Sequence, residues 1–342
     1  APPARRGELL YMAACAACHG ADARGAPQAL VGFDVPLPDF TDCNFATREP
    51  DADWAAVVHQ GGPVRGFDRM MPAFGAALTD EEIQWTLEHL RTLCGDEWPR
   101  GELNLPRALV TEKAYPEDEA VLTTAVAVEG PGAVTNELVY EKRFGARNQW
   151  ELSVPFGFRE GEAGGWRGGI GDIAFAIKRA LFHSLASGTI LSASAELILP
   201  TGDEDDGFGT GTTVFEPFIA LGQLLPAEAF FQFQGGVAVP FDTERVQEEA
   251  FWRAVLGKSI TEGRRGRVWS PMVELLGARE LESGATTLWD LVPQFQVTLN
   301  TRQHIMANAG VRIPLNDTAG RQTEFLVYLL WDWFDGGLFD GW

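Results

Sequence analysis

The spacing of apolar positions changes period once along the chain, from that of helices to that of strands. Thr79 and Glu82 form a capping-box signature, and Ile83, Leu87, Leu90 and Leu93 follow at helical intervals. Residues 7–14 (GELLYMAA) also have helical character. After Cys94 this pattern stops, and residues 96–118 are dense in prolines and charges, as in a linker or ordered strap. Trp98 and Leu103 to Leu105 predict that the strap packs rather than floats. From about residue 119 the period is two. Trp150, Leu152, Val154, Phe156 and Phe158 share one face against Gln149, Glu151, Ser153 and Arg159, and similar alternation recurs to residue 334.

The alternation predicts about twelve strands of roughly ten residues, the length that crosses a bilayer at a tilt. Tight connections (GARN, LLPAE, NTRQ) alternate with long ones (REGEAGGWRGG, PTGDEDDGFGTGT). Trp150, Trp252, Trp269, Trp331 and Trp333 fall near strand ends, as in interfacial girdles. A soluble sandwich would scatter Lys and Glu along its exposed faces, whereas the polar face here is rich in Gln, Ser and Thr. The expectation is an antiparallel outer-membrane barrel over 119–342, after a helical domain over 1–95 and the linker 96–118. An even strand count puts both barrel ends on the periplasmic side. No apolar run reaches the length of a membrane helix.

Charge narrows the partners. The 27 basic and 48 acidic side chains give a net charge of −21, which argues against nucleic acid and favours cationic partners, metal ions or basic redox proteins. The start on Ala-Pro-Pro reads as a processed N-terminus after export.

The chemistry lies in Cys15 to His19, C-A-A-C-H, the attachment signature for haem c. Two thiols add across the haem vinyl groups, and the adjacent His19 supplies an imidazole to the iron. Zinc would need a second ligand pair, and the sequence has no second C-x-x-C. Cys43 and Cys94 remain, and in an oxidising compartment such a pair is expected as a disulfide. Residues 70–93 (MMPAFGAALTDEEIQWTLEHLRTL) resemble the distal half of class I cytochromes c, where a Met-Pro turn delivers a thioether to the iron. The resemblance implies an all-α class I cytochrome c domain with Met71 as second axial ligand, and Met70 as the fallback. His59 is the competing axial candidate, and His89 is expected on the solvated face of the last helix. With both axial positions filled, one covalently bound haem c carries electrons and leaves no open position for substrate. Oxidation of Fe²⁺ stays open as an activity.

The runs GIGDIAFAIK (169–178) and AELILPTGDEDDGFGTG (195–211) resemble the outer-membrane barrel family known from aromatic-degradation (phenol meta-pathway) clusters. That family is linked to small-molecule uptake. The order of the two domains also resembles the cytochrome–porin fusions of iron oxidisers. Asp203, Glu204, Asp205 and Asp206 offer hard oxygen ligands for Fe²⁺ or Ca²⁺ but lack the spacing of a dedicated site, so a solvated outer loop is expected. Three functions follow: a haem domain exchanging electrons across or at the outer membrane, a barrel-tethered periplasmic carrier within a larger respiratory or photosynthetic complex, and a solute channel with a haem-bearing plug. The expected partners are a periplasmic redox protein, a small donor or acceptor such as Fe²⁺, and outer-membrane lipid.

Overall fold

In a computed structural model the described residues are 3–161, 164–263 and 265–341. The chain starts with six short helices: α1 (Pro3–Ala14), α2 (Ala16–His19), α3 (Gln28–Val31), α4 (Cys43–Ala46), α5 (Asp51–Gln60) and α6 (Asp80–Arg91). Thr79 and Glu82 close the capping box that starts α6, so two end groups of the helix are satisfied reciprocally. The apolar face of α6 buries Ile83, Leu87 and Leu90 against Tyr11 of α1. The two helices cross at Gly7, where a Cβ would lie 1.8 Å from the Trp85 carbonyl oxygen. Only glycine permits that approach.

Fourteen β-segments follow among the described residues: β1 (Glu119–Ala127), β2 (Ala133–Phe144), β3 (Asn148–Glu160), β4 (Trp166–Ile170), β5 (Ile173–Ser184), β6 (Thr189–Leu199) and β7 (Val214–Leu224). The second half comprises β8 (Ala229–Pro240), β9 (Glu249–Lys258), β10 (Ile260–Thr261), β11 (Val268–Glu280), β12 (Leu288–Thr298), β13 (Ile305–Pro314) and β14 (Glu324–Asp332). β4 and β5 run one after the other along β3, and β9 and β10 do the same along β11. The result is a closed antiparallel barrel of twelve strands, sealed where β1 pairs with β14. Closure leaves no free edge. The tight turns gather at one end, and the longest loop, 200–213, lies at the other. In the expected long loop after β3, residues 162 and 163 lie outside the described residues.

The alternation predicted from sequence is present, with its faces turned inside out relative to a soluble sheet. Gln149, Glu151 and Ser153 of β3 are buried, while Leu152, Phe156 and Phe158 are exposed. The same holds for Lys178 against Phe175 and Ile177, and for Glu274 against Val273 and Leu275. An outward apolar belt around a polar interior suits a barrel whose solvent is lipid. No described helix is long and apolar enough to cross a membrane.

Of residues 96–118, read from the sequence as a linker or ordered strap, the start packs on the helical domain through Arg100 and Glu102, and the part from Leu103 onward runs inside the barrel. Leu103, Leu105, Ala108, Leu109, Ala114 and Tyr115 are buried there. The strap's deepest turn is held by Glu274, whose carboxylate accepts from the backbone N–H of Leu109 (3.0 Å), Val110 (3.2 Å) and Thr111 (2.9 Å). Gln232 donates to the Pro106 carbonyl at 2.9 Å and Tyr328 to that of Arg107 at 2.7 Å. Arg107 also meets Glu112, Glu119 and Glu141 at 2.8–3.0 Å. Backbone that enters a low-dielectric space must find partners, and the polar lumen supplies them.

Candidate functional site

A cleft of about 600 Å³ opens in the helical domain. Its first wall is the turn after α1. Cys15 N–H donates to the Tyr11 carbonyl at 2.8 Å and His19 N–H to that of Cys15 at 2.9 Å, so both cysteines and His19 sit on one helical turn. The Tyr11 hydroxyl donates to the Gly20 carbonyl at 2.8 Å and pins that turn to α1. The His19 ring packs on Phe40, with centroids 5.1 Å apart, and Phe40 in turn on Trp54. Met71, Pro72 and Phe74 also line the cleft. The Met71 carbonyl accepts from Gly62 N–H at 3.0 Å, and Gly61 (φ +85°) comes so close that a Cβ there would lie 3.0 Å from the same oxygen.

These residues fit a covalently bound haem. Cys15 and Cys18 carry free thiols, both on the cleft wall. Burial lowers the pKa of His19, which keeps the imidazole neutral as metal ligation requires. Its Nδ1 is buried and makes no hydrogen bond among the described residues. Phenylalanine, proline, valine and leucine supply nearly half of the lining residues, which suits a flat apolar macrocycle.

The other candidates fall elsewhere. His59 does not line the cleft: its ring packs over Gly75, where a Cβ would lie 2.6 Å away, and its Nε2 is 3.9 Å from Asp80. Met70 is on the cleft rim and largely exposed. His89 is half-buried beside Tyr11, 5.6 Å between ring centroids, rather than solvated. Cys43 and Cys94 are bonded, with Cα atoms 5.6 Å apart. In the acidic loop Glu204 pairs with Arg245 and Asp206 with Arg167. The loop's turn closes on Asp172, which accepts from the N–H of Gly202 and Thr210 at 2.9 and 2.7 Å.

Sequence reasoning missed the barrel's share of the cleft. Arg302 and His304, in the turn between β12 and β13, and Phe334, after β14, complete the lining. His304 pairs with Glu49. Arg302 donates to the Gly66 carbonyl at 3.2 Å and lies 4.5 Å over the Phe67 ring. Arg65 meets Asp53 at 2.6 Å and the Arg265 carbonyl at 2.7 Å. Burial, reinforced by the Glu49 charge, pushes Asp53 up to about 6 against the pull of Arg65. These contacts between the two domains span 200 to 255 positions of sequence, and no local pattern marks them.

Residues 2–90 match the family described as cytochrome c oxidase, cbb3-type, subunit III. No curated protein matches the chain. Among solved structures, an outer-membrane channel from Pseudomonas putida F1 is similar over 66% of this chain and 98% of its own, at 13% identity and a TM-score of 0.46. The NanC porin covers 62% of this chain and 97% of its own, at 8% identity and a TM-score of 0.44. The KdgM porin covers 62% and 98%, at 8% identity and a TM-score of 0.41. With the helical unit matched and the β-sheet closed on itself, the chain is a cytochrome c-type domain fused to a twelve-strand antiparallel barrel.

Proposed function

We propose that the protein is an electron carrier fixed to the outer membrane by its barrel, with the haem domain on the periplasmic side. Cys15 and Cys18 hold one haem c, and His19 and Met71 bind its iron. When bound, the haem supplies one-electron exchange. With His19 and Met71 both bound, the iron would have no position for substrate, and the Met71 thioether would favour a higher potential than a second imidazole would give. The barrel supplies attachment: its outward belt meets lipid, and its tight-turn end carries the helical domain.

One observation carries this reading over a conduit or a channel. The cleft sits at one mouth while the strap crosses the lumen behind it, held by Glu274, Gln232 and Tyr328. A single C-x-x-C-H at one mouth leaves a hydrocarbon core of ~30 Å to cross, and the strap bars a small redox partner from the lumen. The partner is therefore a periplasmic redox protein, and the acidic surface favours a basic one.

Two measurements test the reading. Met71→Ala should abolish the sulfur-to-iron charge-transfer band of the ferric protein, while Met70→Ala and His59→Ala should leave it. In whole cells, membrane-impermeant reductants should leave the haem oxidised, and their reducing it would overturn the tether in favour of exchange with an external donor such as Fe²⁺.

A further inference from the structure

We propose that the barrel forms part of the haem site, with Arg302 at the seam receiving the carboxylate edge of the haem beside Arg65. This rests on the reading of the cleft as a haem site and adds to it which edge the barrel covers.

A haem c carries two carboxylates on one edge and thioether links on another. A carboxylate buried without a cation or donors costs several kcal/mol, so that edge turns toward arginine or toward water. Among the described residues lining the cleft, the arginines are Arg65 and Arg302, and there is no lysine. Both lie at the seam, with side chains 6% and 13% exposed. They converge from different domains onto the turn that follows α5. Arg65 reaches the Arg265 carbonyl in the β10–β11 turn, and Arg302 reaches back to the Gly66 carbonyl.

The seam is built to a close tolerance. Gly66 (φ +68°) abuts Gly341, where a Cβ would lie 2.5 Å from the neighbouring Cα. Asn300 Oδ1 accepts from the N–H of His304 and Ile305 at 3.0 and 3.1 Å and so fixes the turn that carries Arg302 and His304. Phe334 closes the gap, its ring 5.1 Å from that of His304. Charged groups facing this corner from the helical side are Glu49, Asp53, Arg65 and Asp68. Those from the barrel side are Arg302, His304 and Asp340, the last 4.0 Å from Arg302.

The geometry has a redox consequence. A cation near the haem favours the ferrous state, and an anion favours the ferric state. The test is a potentiometric titration of the full chain in detergent or lipid, with covalent haem measured beside it. Arg302→Gln should shift the ferric–ferrous equilibrium about tenfold toward ferric, about 59 mV downward for one electron, and Arg302→Lys should recover most of it. Glu49→Gln should move the potential upward, which separates charge from loosened docking, since docking loss would drive both variants the same way. An unchanged potential in Arg302→Gln, or a parallel fall in Glu49→Gln, overturns the inference. Wild-type protein without covalent haem would instead overturn the underlying reading of the cleft.

Discussion

The helical domain and the barrel turn opposite faces to their surroundings. One closes over Tyr11, Ile83, Leu87 and Leu90. The other closes over a mixed interior, with Gln149, Gln232, Glu274 and Asn308 beside Val121, Leu276, Val292 and Phe230, and turns Leu152, Phe175 and Phe295 outward. A single rule covers both, because each group goes where its transfer cost is lowest and the two units face different solvents. Water outside the helices sends apolar groups inward. Lipid outside the barrel removes that pressure, and the interior combines hydrogen bonds and ion pairs to the strap with apolar packing on Leu105 and Leu109.

The comparison breaks first at the strap. If polar partners keep the lumen closed, Glu274→Ala, which takes the acceptor from the N–H groups of Val110 and Thr111 and leaves that of Leu109 only Gln294, should open it. Deleting residues 104–116 should open it further. In planar bilayers the wild type should be silent, Glu274→Ala should flicker, and the deletion should conduct steadily. A conducting wild type would show that the strap does not seal.

The comparison sharpens with one substitution made on both sides. Leu87→Ala, in the helical core, should cost about 2–5 kcal/mol by cavity formation, read as a lower thermal midpoint for loss of the ferric spectrum. Leu152→Ala on the lipid face should cost far less. Leu152→Arg should cost about 2–4 kcal/mol if that position is near the bilayer midplane. Comparable losses for both alanine variants in the refolding equilibrium would mean that Leu152 is packed like a core residue rather than facing lipid.

The smallest effect lies at the seam. Asp53, raised to about 6 by burial and by Glu49, is neutral below that pH and ionised above it. A new negative charge favours ferric haem, so the potential should fall as pH rises through 6, and Asp53→Asn should flatten that slope. A slope unchanged in Asp53→Asn would assign it to another group.

The sequence by itself determined α1, α6 and the strands from residue 119 onward, because both periods are local, whereas α2 to α5 came only with the structure. Thr79 and Glu82 marked the start of α6, and Trp150 to Phe158 marked the faces of β3 with the correct polarity. Cys15, Cys18 and His19 stand out because attachment chemistry demands close spacing, Met71 only through the resemblance of its Met-Pro turn, and all four line one cleft. Tertiary structure alone decided where the strap goes and what covers the cleft. Arg107 and Lys113 read as ordinary linker charges until the lumen carboxylates that receive them stand opposite. Arg302 and His304 read as turn residues until Gly66 and Glu49, more than two hundred positions earlier, meet them. Such partners are set by closure of the barrel and the docking of one domain on its rim, and no spacing along the chain encodes either.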